Sequence, residues 1–243
     1  MELNGKIALV TGGAKRIGRE IALGLARKGV DILLHYRTSE DAAEETAAAI
    51  RAAGAGCDLF RADLSKPADI LCLTESIYKK KKAVHILVNS ASLFYKTPFD
   101  TVTEADWDKL TAANLKGPFL LSKEIGNKMF AQGAGKIVNI ADWSGLRPYK
   151  DYAPYCVSKG GLVTLTKTLA RDLAPRVMAN AVAPGPVLAP PDMSEAEKEA
   201  IARTTALGRW GAPQDIANAV IFLLDNDFIN GTVLVVDGGR SII

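Results

Sequence analysis

The sequence holds only three cysteines, Cys57, Cys72 and Cys156. Their number is odd and their spacing is not that of metal ligands, which excludes a disulfide framework and a zinc knuckle and fits reduced thiols. No metal site is expected. Charge of one sign is equally scarce, since 30 Lys and Arg oppose 27 Asp and Glu for a net +3. A nucleic-acid binder gathers its basic residues on one face, whereas these are spread along the chain, so no nucleic-acid partner is expected. The densest run, Lys79 to Lys82, follows the amphipathic stretch Ile70 to Tyr78 and belongs at a helix C-terminus, where the dipole favours cations. No apolar run approaches the ~20 residues that cross a bilayer, so no membrane partner is expected. Also missing are a proline-rich or serine-rich linker, an internal repeat and, ahead of Leu3 to Val10, a basic-then-apolar leader. One domain over residues 1–243 and a cytoplasmic location are the resulting expectations.

Apolar residues make up 48% of the chain and charged residues 23%, enough for a sizeable core inside a charged surface. The runs Ile7 to Val10, Val30 to Leu34, Ile86 to Val88, Ile137 to Ile140, Ala179 to Val182 and Val233 to Val236 are short and rich in β-branched residues, as in strands buried on both faces. Helical periodicity fills the spaces at Ile17 to Lys28, Asp41 to Ala53, Ala105 to Met129, Tyr155 to Leu173 and Gln214 to Leu224. This alternation predicts an α/β protein: a single doubly wound, Rossmann-type domain with a mostly parallel sheet and helices on both faces. The one long irregular stretch, 184–204 before the Gly208 to Gly211 turn, makes 184–211 the candidate substrate loop, because ligands sit at the carboxyl ends of such strands.

Directly after the first strand, Thr11-Gly12-Gly13-Ala14-Lys15-Arg16-Ile17-Gly18 turns the chain into a helix, the place where backbone amides bind a pyrophosphate. The spacing is neither G-x-G-x-x-G nor a Walker motif, and by itself it also suits a plain strand-to-helix turn. The second strand ends at His35-Tyr36-Arg37-Thr38-Ser39, where an NAD enzyme carries an acid for the ribose 2′-hydroxyl. Arg37, with Lys15, Arg16 and Ser39, instead offers cations and donors to a 2′-phosphate, which points to NADP(H). Asp63 ends the third strand beside Leu64 and suits an adenine amine, and Asn89 ends the fourth strand at the same sheet edge.

Tyr155 and Lys159 stand four residues apart in a helical segment and share a face. An ammonium beside a phenol lowers a pKa that starts near ~10, which makes the tyrosine a better acid or base near neutrality.

Taken together, these motifs make the chain resemble the short-chain dehydrogenase/reductase family from end to end. The resemblance rests on the Thr11 to Gly18 turn, Asp63, Asn89-Ser90-Ala91-Ser92, Asn114-Leu115-Lys116-Gly117, Tyr155 with Lys159, Pro184-Gly185 and Asp237-Gly238-Gly239. It implies that Tyr155 transfers the proton, that Lys159 lowers its pKa and binds the nicotinamide ribose, and that Asn114 holds a relay water. It also implies that backbone from Pro184 and Gly185 to Val187 holds the nicotinamide, and that copies of the chain pair through the helices around 106–130 and 155–173 as a homo-oligomer, dimer or tetramer.

Two residues depart from the family's common form. Asp142 stands where a serine is usual, thirteen residues before Tyr155, and an ionised aspartate can only accept hydrogen bonds. Arg16 stands where the turn usually has its middle glycine. With Ser92-Leu93-Phe94 and the His35-Tyr36 pair, these departures resemble the pteridine reductase branch. That resemblance implies catalysis by Asp142, Tyr155 and Lys159, with Arg16, Ser92 and Phe94 at the substrate and Phe94 stacking a flat ring. The expected reaction is hydride transfer from NADPH to a pterin-like small molecule. The alternatives are a 3-oxoacyl carrier-protein or other small carbonyl reductase and, from another class, a non-catalytic NADPH-binding protein.

Overall fold

The computed structural model describes residues 1–190 and 193–243. Its strands are β1 (Ile7–Val10), β2 (Asp31–Tyr36), β3 (Cys57–Arg61), β4 (Ile86–Asn89), β5 (Gly135–Ile140), β6 (Val177–Pro184) and β7 (Val233–Val236). The helices among the described residues are α1 (Arg16–Ala26), α2 (Glu40–Ala52), α3 (Pro67–Lys80), α4 (Glu104–Thr111), α5 (Gly117–Gln132), α6 (Ala153–Asp172), α7 (Glu195–Ala202) and α8 (Pro213–Asp225). All seven strands pair in parallel, in the order β3-β2-β1-β4-β5-β6-β7. The chain reverses its direction of strand addition between β1 and β4, the switch point at which such sheets open a crevice.

Side-chain alternation splits the core in two. Ala8 and Val10, Ile32 and Leu34, Ile86 and Val88 pack with Leu25 of α1 and Val220 of α8 on one face. Leu9, Leu33 and Leu87 pack with Ile70 of α3, Ile125 of α5 and Leu169 of α6 on the other. Burial of both faces is why these strands read as continuous apolar runs instead of alternating ones.

Two expectations are corrected. The periodic stretch 105–129 is not one helix: α4 and α5 are joined by a π-helical turn over Ala112–Lys116. Pro118 has no N–H to give the Asn114 carbonyl, which an α-helix requires, so the ladder widens there. Nor is 184–204 irregular throughout, because α7 forms inside it. Ser194 Oγ accepts from the Glu197 N–H while the Glu197 carboxylate accepts from the Ser194 N–H, a reciprocal cap that the Ser-x-x-Glu spacing signals. Pro191 and Asp192 of the expected substrate loop lie outside the described residues.

Candidate active site

The crevice is built first by the turn after β1. Gly12 has φ +63°, and a Cβ on it would stand 2.9 Å from the Ala91 Cα, so the turn and the segment after β4 touch as only glycine permits. A Cβ on Gly18 would lie 2.3 Å from the Gly12 carbonyl oxygen, which lets α1 start tight against the turn. Thr11 Oγ1 accepts from the N–H groups of Ser90 and Ala91 at 2.9 and 3.0 Å and clamps the two segments together. Lys15 makes no side-chain cap, which leaves the first N–H groups of α1 without a side-chain acceptor, as an anion-binding helix start needs. Ile17 turns inward and packs on the core.

A cavity of ~210 Å³ is lined by this turn and by Lys15, Arg37, Thr38, Ser39, Asp63, Leu64 and Ser92. It therefore unites the basic residues expected at a 2′-phosphate with those expected at an adenine. Burial works against ionised Asp63, yet hydrogen bonds from Ser65 and the charge of Arg37 hold its carboxyl below the usual range. The glycine cradle, free helix terminus and donors fit a dinucleotide.

Arg16 has φ +55°, in the left-handed region where a side chain costs about 1–2 kcal/mol. Its guanidinium does not turn to the pyrophosphate site. It donates to the Leu188 carbonyl at 3.2 Å and ties the turn to the segment after β6. There Gly185 abuts Asp237, 2.6 Å from the site of a Cβ, and its N–H bonds the Val236 carbonyl, which steers Pro184 to Val187 across the crevice. Asn89 is not at the crevice surface: its side chain bonds Ser122 and Asn139 inside the core. A strand end reads identically whether its side chain turns to ligand or core.

Beyond β5, Asp142 and Tyr155 meet. The phenol donates to Asp142 Oδ2 at 3.0 Å, while Oδ1 accepts from the Ser144 N–H at 2.8 Å. Lys159 lies on the same face of α6, fully buried, with Nζ donating to the Ile140 carbonyl at 2.9 Å and lying 5.7 Å from the Tyr155 ring centroid. The expectation that Lys159 lowers the Tyr155 pKa is reversed here. Burial, and then the adjacent Asp142 charge, push that pKa well above 10 and keep the proton on the phenol. Burial also pushes Lys159 down to about 8, opposed by Asp142.

The π-helical turn aims Asn114 inward. Its Oδ1 accepts from the Leu93 N–H and Ser92 Oγ, and its Nδ2 donates to the Leu93 carbonyl and Ser158 Oγ. This side chain is spent on fixing the loop that carries Ser92 and Phe94. Phe94 is half exposed, stacked on Tyr152 at 4.8 Å and edge-on to Tyr155 at 4.8 Å. Tyr149 continues the wall against Tyr152 and Trp143, whose Nε1 donates to the Tyr149 hydroxyl. Tyr152 and Tyr149 were missed from sequence, although their three-residue spacing ahead of Tyr155 was visible. No cluster of three or more metal-ligating side chains, and no helix long and apolar enough to cross a membrane, occurs among the described residues.

A parallel sheet with a dinucleotide cradle at its switch point, and a buried Tyr and Lys beside it, defines a nicotinamide-dependent oxidoreductase. The chain belongs to the short-chain dehydrogenase/reductase family. The family model described as Enoyl-(Acyl carrier protein) reductase matches residues 12–241. The chain is 36% identical to a 3-oxoacyl-[acyl-carrier-protein] reductase FabG of Aquifex aeolicus, over 98% of each protein. It is 34% identical to a short-chain type dehydrogenase/reductase of Picea abies, over 98% of this chain and 93% of the relative. A solved short-chain dehydrogenase/reductase of Serratia marcescens, carrying two Phe-to-Leu changes, superposes with a TM-score of 0.92 at 33% identity, over 99% of this chain and 100% of that one.

The charges set a pH signature. Lys159 is charged below about pH 8 and neutral above it, while the raised Tyr155 pKa keeps the phenol protonated across that range. kcat/KM for reduction, which reports the free enzyme, should therefore fall as pH rises through about 8. Asp142 raises the Lys159 pKa, so Asp142→Asn should move this limb to lower pH. A limb that stays in place in pH–rate profiles assigns it to another group.

Proposed function

We propose that the chain is an NADPH-dependent reductase of small carbonyl compounds, with 3-oxoacyl thioesters as its leading substrate class. The observation that carries this is a phenol held protonated at the end of a dinucleotide cradle, beside a buried lysine. Bound dihydronicotinamide supplies the hydride. Tyr155 gives its proton to the substrate oxygen, Lys159 holds the ribose side of the cofactor, and Asn114 keeps the loop with Ser92 in place. The stretch 184–211, tied to the cofactor turn by Arg16, acts as the substrate loop of a single domain spanning 1–243. NADPH over NADH follows from Arg37, Ser39 and Lys15 in the cavity, with Arg37 after β2 where an NAD enzyme carries an acid for the ribose hydroxyl. Trp107, Phe119 and Val157 leave apolar surface on α4, α5 and α6 that the expected homo-oligomer would cover. The relatives' names favour the carbonyl class over the pterin-like one.

A second reading is kept because of Asp142. With Oδ2 on Tyr155 and Oδ1 on a backbone amide, the carboxylate cannot donate to a carbonyl oxygen as the family's serine does. It can accept from ring N–H groups, and the Phe94–Tyr152 stack beside it offers a flat aromatic face. Both features suit a dihydropterin.

Tyr155→Phe should lower kcat by ~100- to 10,000-fold with NADPH binding nearly unchanged, as titration of cofactor fluorescence beside steady-state rates will show. Arg37→Ala should raise the KM for NADPH by ~10-fold or more and leave that for NADH alone, because one charge-assisted bond to phosphate contributes ~1.5–3 kcal/mol. Asp142→Ser decides the substrate. Under the carbonyl reading, wild type reduces an acetoacetyl thioester and the variant matches or exceeds it. Dihydrobiopterin turnover by wild type, falling ~100-fold in Asp142→Ser, would put the pterin reading in its place.

A further inference from the structure

His35 ends β2 beneath the cofactor turn, 2% exposed, and both its ring nitrogens are engaged. The Gly12 N–H donates to Nδ1 at 3.2 Å. Nδ1 must then be unprotonated, so the ring proton sits on Nε2, which lies 3.1 Å from the Ala62 carbonyl and donates to it. One neutral tautomer satisfies both contacts. Independently of the ring, the His35 carbonyl accepts from the Gly13 N–H at 3.0 Å.

The two segments that the ring joins line one cavity. Gly12 belongs to the turn expected at the pyrophosphate, and Ala62 immediately precedes Asp63 and Leu64, the residues expected at the adenine. We propose that His35 is a positioning residue for the dinucleotide, its neutral Nε2-protonated ring spacing the glycine turn from the adenine loop and thereby setting cofactor affinity. This rests on the family's dinucleotide site and is independent of the substrate and of the choice between NADPH and NADH.

The environment keeps the ring in the required state. Burial pushes its pKa down to about 4, against the weaker opposing effects of the Ala62 carbonyl and the Asp63 charge. A protonated ring would present N–H to the Gly12 N–H and break the contact. At neutral pH the bridge is constitutive.

The chain has two histidines, so nitrogen-15 NMR of the wild type can resolve each ring, with His35→Asn assigning the signals. The expected result is the Nε2–H tautomer for His35, unchanged from pH 6 to 8; an Nδ1–H or charged ring overturns the proposal. His35→Leu removes the acceptor of the Gly12 N–H and should weaken NADPH and NADH alike by ~10-fold, ~1.4 kcal/mol, with kcat at saturating cofactor close to wild type. His35→Asn retains an oxygen near the Nδ1 position and should recover most of the affinity. Equal weakening for both cofactors separates this role from that of Arg37, which discriminates between them. A folded His35→Leu that binds both cofactors at wild-type strength, with only its melting temperature lowered, makes the residue merely structural and overturns the proposal. Should His35→Leu fail to fold, His35→Ala takes the same readout.

Discussion

A parallel sheet has to bury both faces, and each strand has to be reached by a crossover helix. Every strand therefore points the same way and delivers its C-terminal residue to one edge. The turn after β1, the segment after β4, Asp142 after β5 and Pro184 at the end of β6 are distant in sequence and adjacent for that reason alone. Most of the candidate site residues sit on loops and near helix starts, while two apolar layers beneath hold those loops in register.

Within the edge, local strain and close approach are concentrated in the cofactor turn. Gly12 and Gly18 permit backbone contacts that a Cβ would forbid, and Arg16 accepts an unfavourable φ next to them. The Arg16 bond to Leu188 gives that residue a reason to be there, because it links the cofactor turn to the loop across the crevice. Strain held at a functional site by surrounding structure is the expected arrangement. His35 supports the same turn from below.

The Asp142–Tyr155–Lys159 cluster shows how burial and charge set proton positions together. Desolvation disfavours both phenolate and ammonium, so it raises Tyr155 and lowers Lys159. Asp142 opposes the second effect and reinforces the first. Its carboxylate thus holds the phenol protonated, the form a proton donor needs, at the same time as it withholds the second donor hydrogen bond that a serine offers a carbonyl.

By itself the sequence determined the fold class, six of the seven strands to within a few residues, the cofactor turn and the Tyr155–Lys159 pair, while β3 was not placed by its apolar run. Those features are local: apolar runs, glycine positions and an i, i+4 spacing survive in one dimension. Only tertiary structure decided that Asn89 turns into the core, that Asn114 is spent on the Ser92 loop, that Arg16 bonds Leu188, and that Tyr152 backs Phe94. Tertiary structure also set the sign of the Tyr155 shift. Spacing on a helix shows that a lysine is near, whereas burial depth and the carboxylate arriving from β5, which outweigh it, depend on packing between elements that the sequence keeps apart.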